Sequence, residues 1–142
     1  MSENAGQIRV ILRWIQIKDN KEAMWDDEGE FQFRSKVTTD GQSHELKFPE
    51  QGYWSISDHP RRNKVDKIDK VLFEGPHGDD LVVELFGTEL DDLTPNDELE
   101  DYRRTYSGDP TSWIGRHQPT DEGSGDPENL SDWRVCYDIE LA

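Results

Sequence analysis

Cysteine is nearly absent: Cys136 is the only one in 142 residues. No internal disulfide can form, and there is no CxxC pair for a metal or redox centre. Long apolar runs are missing as well. The longest aliphatic stretch is Val10-Ile11-Leu12, far short of the roughly 20 residues a membrane-spanning helix needs. The opening MSENAGQ lacks the apolar core of a secretory signal. The expectation is therefore a cytoplasmic chain with no transmembrane segment. Phosphate-binding glycine loops, HExxH, GxSxG and an EF-hand loop are all missing. The histidines, at 44, 59, 77 and 117, are too scattered to suggest a zinc site. Acid pairs are so abundant that none singles itself out for general acid–base work. The chain is expected not to be an enzyme.

Apolar residues are scarce, at 32%, and mean hydropathy is -0.98. Five Trp, five Phe and four Tyr offset this, because each aromatic brings a large area to bury. A single domain over residues 1–142 is expected, with a thin aromatic core, long polar loops and a flexible N-terminus over 1–7. The net charge is -16, and it is unevenly spread. Residues 1–71 carry 12 basic and 13 acidic side chains; residues 72–142 carry 4 and 19. No lysine follows Lys70. Adaptation to high salt would spread acid over the whole surface, whereas this asymmetry points to an acidic surface that meets cations or a basic partner.

Residues 8–18 are rich in β-branched and aromatic side chains on both parities, as in a central strand. Residues 30–38 alternate, with Phe31, Phe33, Ser35 and Val37 on one face and Gln32, Arg34 and Lys36 on the other. Thr39-Asp40-Gly41 signals a turn leading into a hairpin return. Further strands are predicted near 45–48 and 53–57. Residues 71–74 and 80–86 flank a five-residue loop and read as a hairpin. In the last strand Trp133, Val135, Tyr137, Ile139 and Leu141 face the core, while Arg134, Cys136, Asp138 and Glu140 face water. Cys136 has no activating neighbour in sequence and is taken as incidental.

Thr94-Pro95-Asn96-Asp97 has the form of a helix start, with a capping hydroxyl, proline at the first position and acid at the positive dipole end. A short helix over about 95–105 would turn Leu99, Tyr102 and Tyr106 inward. Residues 107–131 read as a long polar loop before the last strand, mobile at 120–128 and pinned at Trp113-Ile114. Many strands, one short helix and no βαβ alternation predict an all-β fold, an antiparallel sandwich.

Loop acids carry the most specific chemical signal. Hard cations such as Ca²⁺ need six to eight oxygens, supplied by carboxylates that loops bring together. Asp19 and Asn20 leave the first strand, and Asp26, Asp27 and Glu28 enter the second. Glu89, Asp91, Asp92 and Asp97 follow the strand LVVELF. Asp19 and Asp26 are seven apart; Glu89, Asp91 and Asp97 are spaced by two and then six. In these features residues 8–100 resemble a C2 domain, the Ca²⁺- and phospholipid-binding β-sandwich, whose loops carry aspartates at similar spacings. MWDDEGEF stands where that family has Gly-x-Ser-Asp-Pro-Tyr, and Gly87-Thr88 separates Phe86 from Glu89.

The resemblance implies a C2-like, non-enzymatic module holding Ca²⁺ through Asp19, Asp26, Glu89, Asp91 and Asp97. Met24 and Trp25 would form a loop tip meeting a membrane or a partner. Its partners would be an anionic membrane surface reached through calcium, or a basic protein. The competing reading of the acids is a solvated rim, and of Trp25 a lid folded back on the core. The basic stretch 61–70 is interrupted by Asp66 and Asp69, so no direct nucleic-acid binding is expected. From charge alone the alternative function is an acidic interaction module, of inhibitor, immunity or nucleic-acid-mimic type, binding a basic protein without metal.

Overall fold

The computed structural model describes residues 6–18, 28–57, 63–90, 97–121 and 124–142. The apolar segment near the N-terminus forms β1 (Gln7–Ile17), the centre of a first sheet. It pairs with β11 (Trp133–Leu141) on one side, and with β5 (Lys64–Val65) and β6 (Lys70–Pro76) on the other; β10 (Gly115–His117) lies beyond β11. The second sheet is built on β2 (Glu28–Thr39) and β7 (Asp80–Leu90). Along β2 run β3 (Gln42–Phe48) and β4 (Trp54–Ser57); along β7 run β8 (Asp97–Glu98) and β9 (Tyr102–Ser107). All pairings are antiparallel and the two sheets pack face to face, so the chain is an antiparallel β-sandwich. Among the described residues no helix is long and apolar enough to cross a membrane.

β1 explains its own double parity. Ile8, Val10 and Leu12 face the core, and after a register shift at Arg13 so do Ile15 and Ile17. The extra residue is a β-bulge, which turns two out-of-phase apolar sets onto one face and Arg13 outward. β2 alternates as its sequence predicts, and its hairpin to β3 turns on Asp40 and Gly41, with φ of 53° and 72°. Positive φ at both central residues is the type I′ requirement, met here by an Asp-Gly pair.

Phe33 sits at the middle of the core. Its ring centroid lies 5.5 Å from Trp133, 5.7 Å from Trp54, 5.8 Å from Phe48 and 6.0 Å from Phe31. Opposite it, β7 carries Gly87, where an added Cβ would meet Leu99 Cδ1 at 2.6 Å and the Phe33 ring at 3.1 Å. The missing side chain is the seat into which Leu99 packs, and the Leu99 N–H donates to the Gly87 carbonyl at 2.9 Å.

Several expectations are corrected. No α-helix occupies the described part of 95–105: Asp97 and Glu98 pair with β7, and Tyr102 begins β9. Tyr102 and Tyr106 are inward as expected, but on a strand, because the open edge of β7 supplies a ladder that an isolated short helix cannot match. Thr94 and Pro95 lie outside the described residues. β6 and β7 are not a hairpin. β6 pairs with β1 and β7 with β2, so residues 77–79 carry the chain from one sheet to the other.

Cys136 is fully buried rather than wet, because residues 116–121 cover the outer face of β11. Its thiol lies 3.5 Å from the Gln118 side-chain oxygen, and burial pushes it up to about 11. The polar segment 107–131 is also ordered in part, with a 3-10 turn at Pro110–Trp113 and then β10. Trp113 is buried and Ile114 packs against the core, as expected of the pinning pair.

Gly87→Ala is expected to lower stability by about 1–3 kcal/mol through overpacking, since Phe33 is held by four rings and cannot yield. Urea unfolding of the variant beside Gly108→Ala or Gly41→Ala would separate this clash from a turn effect. In the variant the near-UV CD of the Phe33, Trp54 and Trp133 cluster should change.

Candidate functional site

The ends of the strands determine what can meet. Ile17 pairs with Trp133, Gln16 with Lys64, Glu28 with Ser57, Glu30 with Leu90, and Glu89 with Asp97. Trp133 stacks on Phe33 and its indole N–H donates to the Glu100 carbonyl at 2.6 Å. One end of the sandwich therefore carries the attachment points of segments 19–27, 58–62 and 91–96. Asp19, Asp26 and Asp91, and the expected contact pair Met24 and Trp25, lie within those segments and outside the described residues.

Of the other expected ligands, Glu89 is not on a loop. It is on the inner face of β7 with Leu81, Val83, Leu85 and Gly87, and only 1% of it is exposed. Asp97 is the first residue of β8, its backbone paired with that of Glu89. Among the described residues no group of three or more His, Cys, Asp or Glu converges as a metal site.

A turn over 126–132 joins the two sides of this end. The Lys18 ammonium donates to the Leu130 carbonyl at 2.6 Å and to Asn129 Oδ1 at 3.1 Å; the Lys18 N–H donates to the Asp132 carbonyl at 2.8 Å. On the other side, Glu100 Oε1 accepts from the Ser131 N–H and hydroxyl, both at 2.7 Å, and the Glu100 N–H donates to Asp132 Oδ2 at 3.1 Å. The Ser131 N–H and then its hydroxyl hold the Glu100 carboxyl below its ordinary range, and Lys18 acts in the same direction. An open groove of about 510 Å³ runs beside the turn, between residues 100–103 and 125–131, with Glu100, Asp101 and Asp126 on its walls.

Beneath the turn lies a buried polar network that the sequence did not reveal. Tyr102, Arg104 and Tyr106 share one face of β9, and Tyr137 faces them from β11. Tyr102 donates to Glu128 Oε2 at 2.8 Å, and the Tyr137 hydroxyl lies 2.7 Å from Tyr102 and 2.5 Å from Tyr106. A hydroxyl has one proton, so Tyr137 donates to Tyr102 and Tyr106 donates to Tyr137. Arg104 reaches Glu128 Oε2 at 2.7 Å, and its guanidinium lies 4.9 Å from the Tyr106 ring.

His117 Nε2 is 2.9 Å from the Trp113 carbonyl, so it carries the ring proton, and Nδ1 turns to Arg104 at 3.5 Å. Burial pushes Tyr106 up to about 12 and lifts Tyr102 and Tyr137 further. All three stay protonated at neutral pH and offer no base. The network ties the sheets together. Its sequence signal was the Y-R-R-T-Y alternation, which fits a helical spacing as well.

Charge is matched elsewhere. On the outer face of the first sheet Arg13 reaches Asp138 at 2.7 Å and Asp69 at 3.0 Å. Arg116 reaches Asp138 at 2.8 Å, and Arg9 bonds Glu74 and Glu140 at 2.9 and 3.1 Å. The Arg116 and Arg13 hydrogen bonds hold the Asp138 carboxyl low against its partial burial. In the 126–132 turn the Glu128 carboxylate is likewise paired, with Arg104 at 2.7 Å.

No protein-family model matches the chain, and no curated protein matches it either.

Two outcomes follow from these bonds. Tyr137→Phe removes the middle hydroxyl and leaves Tyr102 and Tyr106 unlinked, for an expected loss of about 1–3 kcal/mol in urea unfolding. Tyr53→Phe, at an exposed position, serves as the control. A carboxyl held low in the folded state stabilises above its unfolded pKa, about 3.9 for aspartate, and loses that contribution as pH falls through the folded value. Asp138→Asn should therefore destabilise at pH 7 and by less at pH 3, below the unfolded value, where part of that contribution is gone. Equal losses at both pH values would show that the charge is not responsible.

Proposed function

We propose that the chain is a non-enzymatic binding module, C2-like in build, that takes Ca²⁺ at the end of the sandwich where the acidic segments attach. The observation that carries this reading is the shared end: the flanks of 19–27 and of 91–96 lie on one side of the fold, bonded to a single turn. Six to eight oxygens from separate segments are what a hard cation requires, and loop carboxylates are its usual source. In this reading Asp19, Asp26, Asp91 and Asp97 are the ligands. Glu89, on the inner face of β7, is not among them. Met24 and Trp25 meet the target, an anionic membrane surface or a basic protein.

A second reading rests on the charge distribution. Residues 72–142 carry 19 acidic against 4 basic side chains, which gives this half of the chain a negative field. Such a field steers a basic protein without any metal.

Thermal melting separates the two. With the chain first stripped by EDTA, millimolar Ca²⁺ should raise the melting temperature in proportion to ln[Ca²⁺], a gain of about 2.7 kcal/mol at a hundredfold excess over Kd. Asp91→Asn and Asp19→Asn should each abolish the shift. An absent shift, or an equal one with Mg²⁺ or with NaCl of the same ionic strength, would overturn calcium binding and leave the electrostatic module.

A further inference from the structure

Lys18 is the last described residue before the first acidic segment, and Glu100 stands three residues beyond Asp97, where the second has rejoined the sheet. They adjoin strands of different sheets, β1 and β8–β9, yet the same seven-residue turn bonds both. Asn129 and Leu130 hold the Lys18 ammonium, Ser131 holds the Glu100 carboxylate with two donors, and Asp132 bonds both residues, its carbonyl to Lys18 and its carboxylate to the Glu100 N–H.

The turn itself is fixed from below. The Glu128 carbonyl accepts from the Val135 N–H at 3.1 Å, Asn129 bridges to Arg134, and the Glu128 carboxylate ends the Tyr106–Tyr137–Tyr102 chain and takes Arg104. From above, the Asn129 amide donates to the Ser124 carbonyl. No residue in this arrangement belongs to the acidic segments themselves.

We propose that the turn over 126–132 is a positioning clamp: it joins the bases of the two acidic segments at one spacing, so that the state of one is felt at the other. The proposal rests on the binding reading above for its use, since a cation shared between two loops needs their bases held at a set distance. Geometrically it depends only on described residues. Lys18, Asn129, Ser131 and Glu100 are positioning residues in it; none is a ligand. Glu128 and the tyrosine chain give the clamp a rigid footing in the core. A charge-assisted bond on each arm makes each arm separately removable.

Amide hydrogen exchange on the full chain tests the clamp, with no ligand needed. Lys18→Met cuts the ammonium arm and keeps the aliphatic stem; Glu100→Ala cuts the carboxylate arm. Both positions are exposed, so both variants should fold, which intact far-UV CD and core exchange would establish.

The clamp requires cross-talk. Lys18→Met should speed exchange about tenfold in 97–101 as well as at the amides of positions 17 and 18, and Glu100→Ala should do the same at those two amides. Lys18→Arg should restore the parent rates. Effects confined to the side of each substitution would overturn the proposal, because two independent surface bonds would behave in that way.

Calcium titration of the same variants gives the second arm. If the parent binds, both variants should weaken binding several-fold, and the double variant no more than the weaker single one. If the parent shows no calcium response, the binding reading fails, while the exchange result still decides the clamp.

Discussion

A sandwich has two open sides, and here one of them is closed by the hydroxyl of a single tyrosine. The first sheet ends at the short β10, the second at β9, and among the described residues no strand passes between them. Tyr137 reaches across from β11 to Tyr102 and Tyr106, and Tyr102 passes the chain on to Glu128. Polar groups taken out of water cost free energy unless each is paired, so the chain is sound only when complete. Its end point, Glu128, comes from the segment that covers this side. The covering segment, the turn at 126–132 and the attachment points of the acidic segments all follow from that closure.

The same dependence explains which parts could be read in advance. β1, β2 and β11 announce themselves because their side-chain pattern is set by one buried face, a local property of the chain. The β2–β3 turn is equally local, as Asp40 and Gly41 carry the needed conformation themselves. The helix expected over 95–105 rests on the start signal at Thr94–Asp97, and Tyr102 and Tyr106, four apart, share one face whether β9 is a helix or a strand. Its partner β7 decides the matter, and that contact is remote in sequence. Residues 71–86 offered a good local turn, but a turn does not say whether its two arms share a sheet. Cys136 looked solvent-facing because the residues that cover it lie 15–20 positions earlier.

The candidate site was legible as chemistry and illegible as geometry. Acid spacing drew attention to Asp19, Asp26, Glu89, Asp91 and Asp97, and the strand ends bring their segments to one end. Glu89 departs from the expectation, because strict alternation in β7 continues through Gly87 and carries it into the interior. The turn at 126–132 gave no signal at all. Much of its bonding is done by backbone carbonyls and N–H groups, which every sequence has. Within the acidic second half, Glu74, Glu128, Asp138 and Glu140 are matched by Arg9, Arg13, Arg104 and Arg116, pairings between positions far apart in sequence.

The bulge at Arg13 has a consequence for how this chain tolerates change. β1 reads its first half in one phase and its second half in the other, and the single extra residue reconciles them. Substitution at Arg13 alters an outward side chain, and deletion of Arg13 alone would remove the bulge while leaving Leu12, Ile15 and Ile17 on the core face. A residue inserted after Trp14 would instead turn Ile15 and Ile17 outward and carry Gln16 to the core face, because a one-residue slip exchanges the two faces of a strand. The strand therefore has one position where its length can change, and is constrained in length on either side of it.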